Sequence, residues 1–89
     1  MEEENSQQKA AIYNKTGLHL AGQAKWKEAI EAYKKAIAIC PDCAKFYINL
    51  GKAYNSTGRV DLAIEQWQKA LELEPERASS HYEIEELRE

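Results

Sequence analysis

The chain has 89 residues, enough for one domain, and it is 44% apolar and 30% charged with only two Pro and four Gly. Its net charge is −3, because residues 9–77 carry eleven Lys/Arg against eight Asp/Glu (+3) and the two ends carry seven acids against one Arg (−6). There is no dense basic stripe for nucleic acid, no membrane-spanning run of about 18 apolar residues, and no secretory signal in the acidic start. We therefore expect a cytoplasmic protein without nucleic-acid or membrane partners.

The first elements predicted along the chain are two helices, which follow an acidic, polar extension over residues 1–8. Apolar residues at helical spacing favour a helix over about 8–22 and a second over about 26–39, and Pro41 ends the second. Ala24 stands in the turn between them, where the second half of the chain has Gly58. Because glycine suits the left-handed end of a helix, we expect the first turn to differ slightly.

The second half of the chain repeats this arrangement. One apolar stripe predicts a helix over about 44–56, Thr57 and Gly58 end it, and another stripe predicts a helix over about 60–73 before Pro75. Over residues 78–89, a few apolar side chains and an acidic face indicate a short capping helix. Such a helix would cover the last hairpin and present a polar surface to water.

The two halves are copies of one unit of 34 residues. Aligning residues 10–43 with 44–77 needs no gap and makes nine positions identical. The identical pairs are Ala10/Ala44, Tyr13/Tyr47, Gly17/Gly51, Ala29/Ala63, Ile30/Ile64, Glu31/Glu65, Lys35/Lys69, Ala36/Ala70 and Pro41/Pro75. This density of matches indicates tandem helical hairpins, in which each repeat packs on its neighbour.

This unit resembles the tetratricopeptide repeat. The second repeat has the family's aromatic, Leu-Gly, small and Pro positions at Tyr47, Leu50, Gly51, Tyr54, Ala63, Trp67, Ala70 and Pro75. The first has Tyr13, Gly17, Ala29, Tyr33, Ala36 and Pro41, but departs from the pattern at Thr16 and Leu20. The resemblance implies an all-α fold: an α-solenoid of two antiparallel hairpins, stacked as a right-handed superhelix, with a C-terminal capping helix. We expect the aromatic residues to fill the gaps between hairpins.

The resemblance also implies where a partner binds. In this family the first helices of the repeats line a concave face, which holds a peptide or a segment of another protein. The positions expected to be exposed on that face are Asn14, Leu18, Lys45, Ile48, Lys52, Asn55 and, from the capping helix, Tyr82. With two ammonium groups, such a groove suits a partner that carries an acidic group.

Some members of the family grip the C-terminal carboxylate of heat-shock chaperones with five Lys, Asn and Arg side chains. Only Asn49 matches that set in this chain. The other four positions hold Asn14, Leu18, Ser79 and Glu83, and the carboxylate of Glu83 would repel the ligand. We therefore expect no binding of a chaperone tail.

Cys40 and Cys43 form a CxxC sequence in the turn between the repeats. A structural zinc site needs four ligands, and the only other soft ligands are His19 and His81. A redox pair normally begins a helix in a fold that contains strands. We therefore expect two small loop residues without a metal, cofactor or redox role.

The sequence contains no catalytic Ser/His/Asp spacing and no Gly-rich phosphate loop, so we do not expect an enzyme. The leading function is a protein-binding scaffold. Two repeats are fewer than the usual three or more, which leaves two alternatives open. One is a self-associating structural module that forms homo-oligomers, and the other is a fragment or consensus-like design of a longer repeat array.

Overall fold

The computed structural model describes residues 5–75, and within that range the chain forms four α-helices and no strand. They are α1 (Ser6–Gly22), α2 (Trp26–Ile39), α3 (Ala44–Ser56) and α4 (Val60–Leu73). The pairs α1–α2 and α3–α4 form hairpins, α2 packs against α3, and α1 touches α3. This confirms the all-α repeat fold. Most of the acidic extension and the predicted capping helix lie outside the described residues.

The start of α1 differs from the prediction by two residues, because Asn5 caps the helix. The Asn5 side chain accepts a hydrogen bond from the backbone N–H of Gln8 at 2.8 Å, and the Gln8 side chain accepts one from the backbone N–H of Asn5 at 3.2 Å. This reciprocal pair satisfies two donors that a helix start otherwise leaves open. Residues 6–8 therefore belong to the first hairpin rather than to the acidic extension.

The two hairpin turns have the same backbone structure, contrary to the expected difference. In the first turn the N–H of Lys25 donates to the carbonyl of Leu20 at 2.9 Å, and the equivalent bond closes the second turn at 2.9 Å. Both turns contain a residue with positive φ, 61° at Ala24 and 83° at Gly58. Alanine adopts this conformation at a cost of roughly 1 kcal/mol relative to glycine.

The helices of each hairpin approach closely where a glycine faces an aromatic ring. A Cβ atom placed on Gly17 would lie 2.5 Å from a ring carbon of Tyr33, and one placed on Gly51 would lie 2.6 Å from Cδ1 of Trp67. Both rings are only 2% exposed. On the second helices the small residues Ala29, Ala36, Ala63 and Ala70 are fully buried. Close helix packing therefore depends on small residues at the positions that the sequence pattern indicated.

The second hairpin stacks on the first through both apolar and polar contacts. Tyr47 is 8% exposed, and its hydroxyl donates to the backbone carbonyl of Pro41 at 2.8 Å. Tyr13 occupies the same repeat position but is 37% exposed, so the prediction that it fills a gap between hairpins is wrong. No described helix precedes α1 to cover its ring, which instead lies 5.7 Å from the Nζ atom of Lys35.

We expect Gly51→Ala to destabilise the protein by about 1–3 kcal/mol, because the added methyl group overlaps the buried ring of Trp67. Gly22→Ala is the matched control, since a Cβ there meets nothing within 4 Å. Removing that helical glycine should stabilise the protein by up to about 1 kcal/mol. Urea unfolding followed by circular dichroism measures both effects. Equal midpoints for the two variants would contradict the close approach of α3 and α4.

Candidate functional site

The predicted groove residues of the two repeats lie on α1 and α3, which contact each other along the stack. We call the six that the structure describes the α1–α3 row. The row consists of Asn14, Leu18, Lys45, Ile48, Lys52 and Asn55. The seventh predicted residue, Tyr82, lies outside the described residues. Neighbouring members of the row on each helix lie three or four residues apart in the sequence. In an α-helix this spacing puts their side chains on one face.

Four members of the row are exposed as expected: Leu18 on α1 and Lys45, Lys52 and Asn55 on α3. The Leu18 side chain is 49% exposed. Lys45 and Lys52 are seven residues apart, two helical turns, which separates them by about 10 Å along α3. The structure therefore combines an apolar side chain and two ammonium groups on neighbouring helices.

The expected exposure is wrong for Asn14 and Ile48, which are 9% and 7% exposed. Asn14 is buried because its side-chain oxygen accepts a hydrogen bond from the amide of Asn49 at 2.8 Å. Ile48 is buried because it packs into the apolar core that joins the two hairpins. Its backbone carbonyl also accepts a 3.1 Å hydrogen bond from the indole N–H of Trp67. These two residues contribute to the floor of the row rather than to its rim.

The bond between Asn14 and Asn49 gives Asn49 a structural role. It crosses from α1 to α3 between residues 35 positions apart, and it is partly buried. A buried amide without a partner would cost about 1–3 kcal/mol, so the pair favours one register between the two helices. The sequence analysis compared Asn49 with one element of a carboxylate site and rejected that site. Its pairing with Asn14 could not be read from the sequence, since the contact requires the stacked repeats.

A pocket of about 280 Å³ lies on α1 beside the row, and we call it the α1 pocket. It is lined by Ala11, Ile12, Asn14, Lys15 and Leu18. Ile12 is 50% exposed, so two large apolar side chains of this pocket are half open to solvent. Ile12 was not among the predicted site residues. Its sequence position could have indicated it, because it is an apolar residue that lies outside the core-facing positions of α1. An apolar side chain of a partner could bury itself against Ile12 and Leu18.

The core beneath the row contains a phenol in an apolar setting. Burial raises the pKa of Tyr33 above its ordinary value. Its ring packs against Gly17.

A disulfide bond joins Cys40 and Cys43 in the turn between the hairpins, which the sequence analysis did not predict. Cys40 follows the last residue of α2, Cys43 precedes the first residue of α3, and both are partly buried against the core around Phe46. The carbonyl of Pro41, between them, accepts the hydrogen bond from Tyr47. The connection between the repeats is thus held by a covalent bond and by a hydrogen bond.

Within residues 5–75 no three His, Cys, Asp or Glu side chains come together in a group that could hold a metal ion. Over the same residues no helix is both long enough and apolar enough to cross a membrane.

Family models and curated proteins match this chain. A model described as a TPR repeat covers residues 20–58, and one described as a tetratricopeptide repeat covers residues 44–77. The chain is 30% identical over 64 residues to Superkiller protein 3 of Saccharomyces cerevisiae, which is 72% of this chain and 4% of that protein. It is 33% identical over 76 residues to the photosystem I assembly protein Ycf3 of Prochlorococcus marinus (strain MIT 9301), which is 82% of this chain and 44% of that protein. The chain spans less than half the length of these relatives.

Solved structures have the same fold. A crystal structure of MamA superposes with a TM-score of 0.88 at 28% identity, covering 93% of this chain and 48% of that one. A structure described as the first TPR of Spaghetti (RPAP3) bound to the HSP90 peptide SRMEEVD superposes with a TM-score of 0.58 at 19% identity, covering 91% of each chain. At that identity the likeness concerns the fold alone.

We expect the bond between Cys40 and Cys43 to stabilise the protein by no more than about 2 kcal/mol, because it closes a loop of only four residues. Urea unfolding of the wild type with and without dithiothreitol measures this contribution. The double variant Cys40→Ser with Cys43→Ser is the control and should be insensitive to dithiothreitol. A loss of more than about 4 kcal/mol on reduction would show that the bond holds the hairpins together rather than the turn alone.

Proposed function

Because the chain belongs to the tetratricopeptide repeat family, whose members bind proteins and peptides, we propose that it binds a peptide segment of another protein along the α1–α3 row. The observation that carries this proposal is that the row combines the half-exposed Leu18 on α1 with two exposed ammonium groups, those of Lys45 and Lys52 on α3. An amphipathic surface of this kind suits a segment with an apolar anchor and an acidic group.

The apolar part of the row supports an anchor residue. Ile12 and Leu18 are each about half exposed, and burying the remaining half of one such side chain contributes about 1 kcal/mol. The α1 pocket, at about 280 Å³, has room for one aliphatic or aromatic side chain of a partner. The buried Asn14 below it accepts a hydrogen bond from Asn49, which holds this side chain in the floor of the pocket.

The charged part of the row supports an acidic partner. An exposed ammonium group adds about 0.5–1 kcal/mol to the binding of a carboxylate, and it mainly accelerates the encounter. Since Lys45 and Lys52 lie about 10 Å apart, they span three residues of an extended peptide. An acidic residue at either end of such a segment would therefore meet one of the two lysines.

Members of the family are generally non-enzymatic interaction modules. We propose that this chain is also not an enzyme and that it binds no cofactor. By its name, Ycf3 acts in the assembly of photosystem I, so a scaffold in the assembly of a complex is the class of role that we favour here. A cytoplasmic location remains a prediction from the sequence. Cytosolic glutathione would keep Cys40 and Cys43 reduced, so their thiol state in cells bears on that location.

A second candidate function, self-association, is favoured by the exposed ring of Tyr13. Tyr47, at the equivalent position of the second repeat, is covered by the preceding repeat. By analogy, the face of α1 that carries Tyr13 is one on which another hairpin would stack. We expect Tyr13→Glu to abolish any concentration-dependent rise in molar mass, measured by light scattering after size exclusion. A constant monomer mass in the wild type over a hundredfold range of concentration, about micromolar upwards, would exclude self-association by this face.

We expect Lys45→Glu with Lys52→Glu to weaken a peptide selected from a display library against the wild type by about tenfold or more, through lost attraction and added repulsion. The matched control is Lys9→Glu with Lys69→Glu, two exposed lysines that lie outside the row and line neither described pocket, which changes the net charge equally. Stability should change by less than about 0.5 kcal/mol in both variants. Isothermal titration gives the Kd values, and added salt should weaken the wild type more than the variant. A Kd that changes neither on charge reversal nor with added salt would show that the peptide binds outside the α1–α3 row.

A further inference from the structure

A second pocket, of about 250 Å³, lies away from the α1–α3 row, and we call it the α2 pocket. Its lining residues come from α2 and from the turn between α3 and α4. They are Lys27, Ile30, Glu31 and Lys34 on α2, and Thr57 and Arg59 in the turn. The two walls belong to different repeats, so the pocket exists only because the second hairpin stacks on the first.

The α2 pocket concentrates positive charge. Lys27 and Lys34 are seven residues apart, so they lie about 10 Å apart on one face of α2, and Arg59 approaches from the opposite wall. Glu31 is the only acidic residue that lines the pocket within residues 5–75, which leaves a formal charge of +2 from three cations and one carboxylate.

The described part of the chain, residues 5–75, does not neutralise the cations of the pocket. Within residues 5–75, none of Lys27, Lys34 and Arg59 takes part in an ion pair. Glu31 has the helical spacing to pair with either lysine of α2, yet it pairs with neither in the described chain. The pocket therefore presents three charged donors to solvent.

Two helix starts add to this positive potential. The residues that precede α2 and α4, Lys25 and Arg59, make no side-chain hydrogen bond that would cap the first turn. Unsatisfied backbone N–H groups leave a partial positive charge at a helix start. The acidic residues of these first turns are Glu28 and Asp61, which are exposed and do not line the pocket.

From this geometry we infer that the α2 pocket is a second binding site, which takes an acidic peptide segment with neighbouring carboxylates. Ile30 in its lining is only 6% exposed, so the side chains that a ligand meets are mainly charged or polar, and recognition is electrostatic. The hydroxyl of Thr57 donates to the carbonyl of Tyr54 at 2.8 Å and so does not compete for the ligand. This site is independent of the α1–α3 row and does not rest on the function proposed for that row.

The test uses a fluorescein-labelled hexaglutamate peptide, with hexaglutamine as the uncharged control, in fluorescence anisotropy at about 50 mM salt. We expect Lys27→Glu with Lys34→Glu to raise the Kd of hexaglutamate by about tenfold or more, and Lys45→Glu with Lys52→Glu to raise it less than about threefold. In amide NMR spectra of the wild type, hexaglutamate should shift the signals of Thr57 and Arg59 more than that of Leu18.

Several outcomes would overturn the inference. Equal loss of affinity in the two charge-reversed pairs would mean that only the net charge matters. Loss confined to Lys45→Glu with Lys52→Glu would place the peptide on the α1–α3 row, which would support the function proposed for the row and remove the second site. No binding of hexaglutamate below about 1 mM, or displacement of it by an equal concentration of inorganic phosphate, would exclude an acidic-peptide site. A dimer that dissociates as hexaglutamate binds would identify the occupant as a second copy of the chain.

Discussion

The structure depends on the packing of an aromatic ring against a glycine in each hairpin. Trp67 of α4 lies over Gly51 of α3, and Tyr33 of α2 lies over Gly17 of α1. Because glycine has no side chain, the backbone of the first helix contacts the aromatic ring of the second helix directly. This contact helps to bury almost the whole ring. Because the distance and angle within each hairpin follow from this contact, so does the position of every exposed side chain on the two first helices.

The relation between the two hairpins is determined by a few polar bonds placed within an apolar interface. The hydroxyl of Tyr47 reaches back to Pro41, and Asn49 reaches across to Asn14. Apolar contacts alone tolerate small shifts between helices, whereas partly buried donors and acceptors must meet their partners. These bonds therefore favour one register of α3, which carries Lys45 and Lys52, on α1, which carries Leu18. The disulfide between Cys40 and Cys43 lies in the same turn and restricts the chain where the hairpins join.

The two stacked hairpins create two surfaces of different chemistry. The α1–α3 row combines half-exposed Leu18 with two ammonium groups, and such a surface recognises both shape and charge. The α2 pocket offers three cations, none of which forms an ion pair within residues 5–75, around a nearly covered Ile30, and the proposed recognition there is by charge. If both surfaces bind, the first determines which segment is held, and the second adds a salt-dependent contact with an acidic neighbouring segment of the same partner.

The sequence by itself determined the repeat and the four helices with their ends, apart from the first two residues of α1, because helical periodicity, Gly and Pro act within a few residues of the chain. It also indicated Leu18, Lys45, Lys52 and Asn55 as exposed positions. Only the tertiary structure decided that Asn14 and Ile48 are buried, and that Lys27 and Arg59 line one pocket. One repeat position shows the physical reason. Tyr13 and Tyr47 occupy the same position in their repeats, but among the described residues only Tyr47 has a hairpin packed before it. Burial is a property of neighbours that are distant in the chain, and local pattern does not contain them.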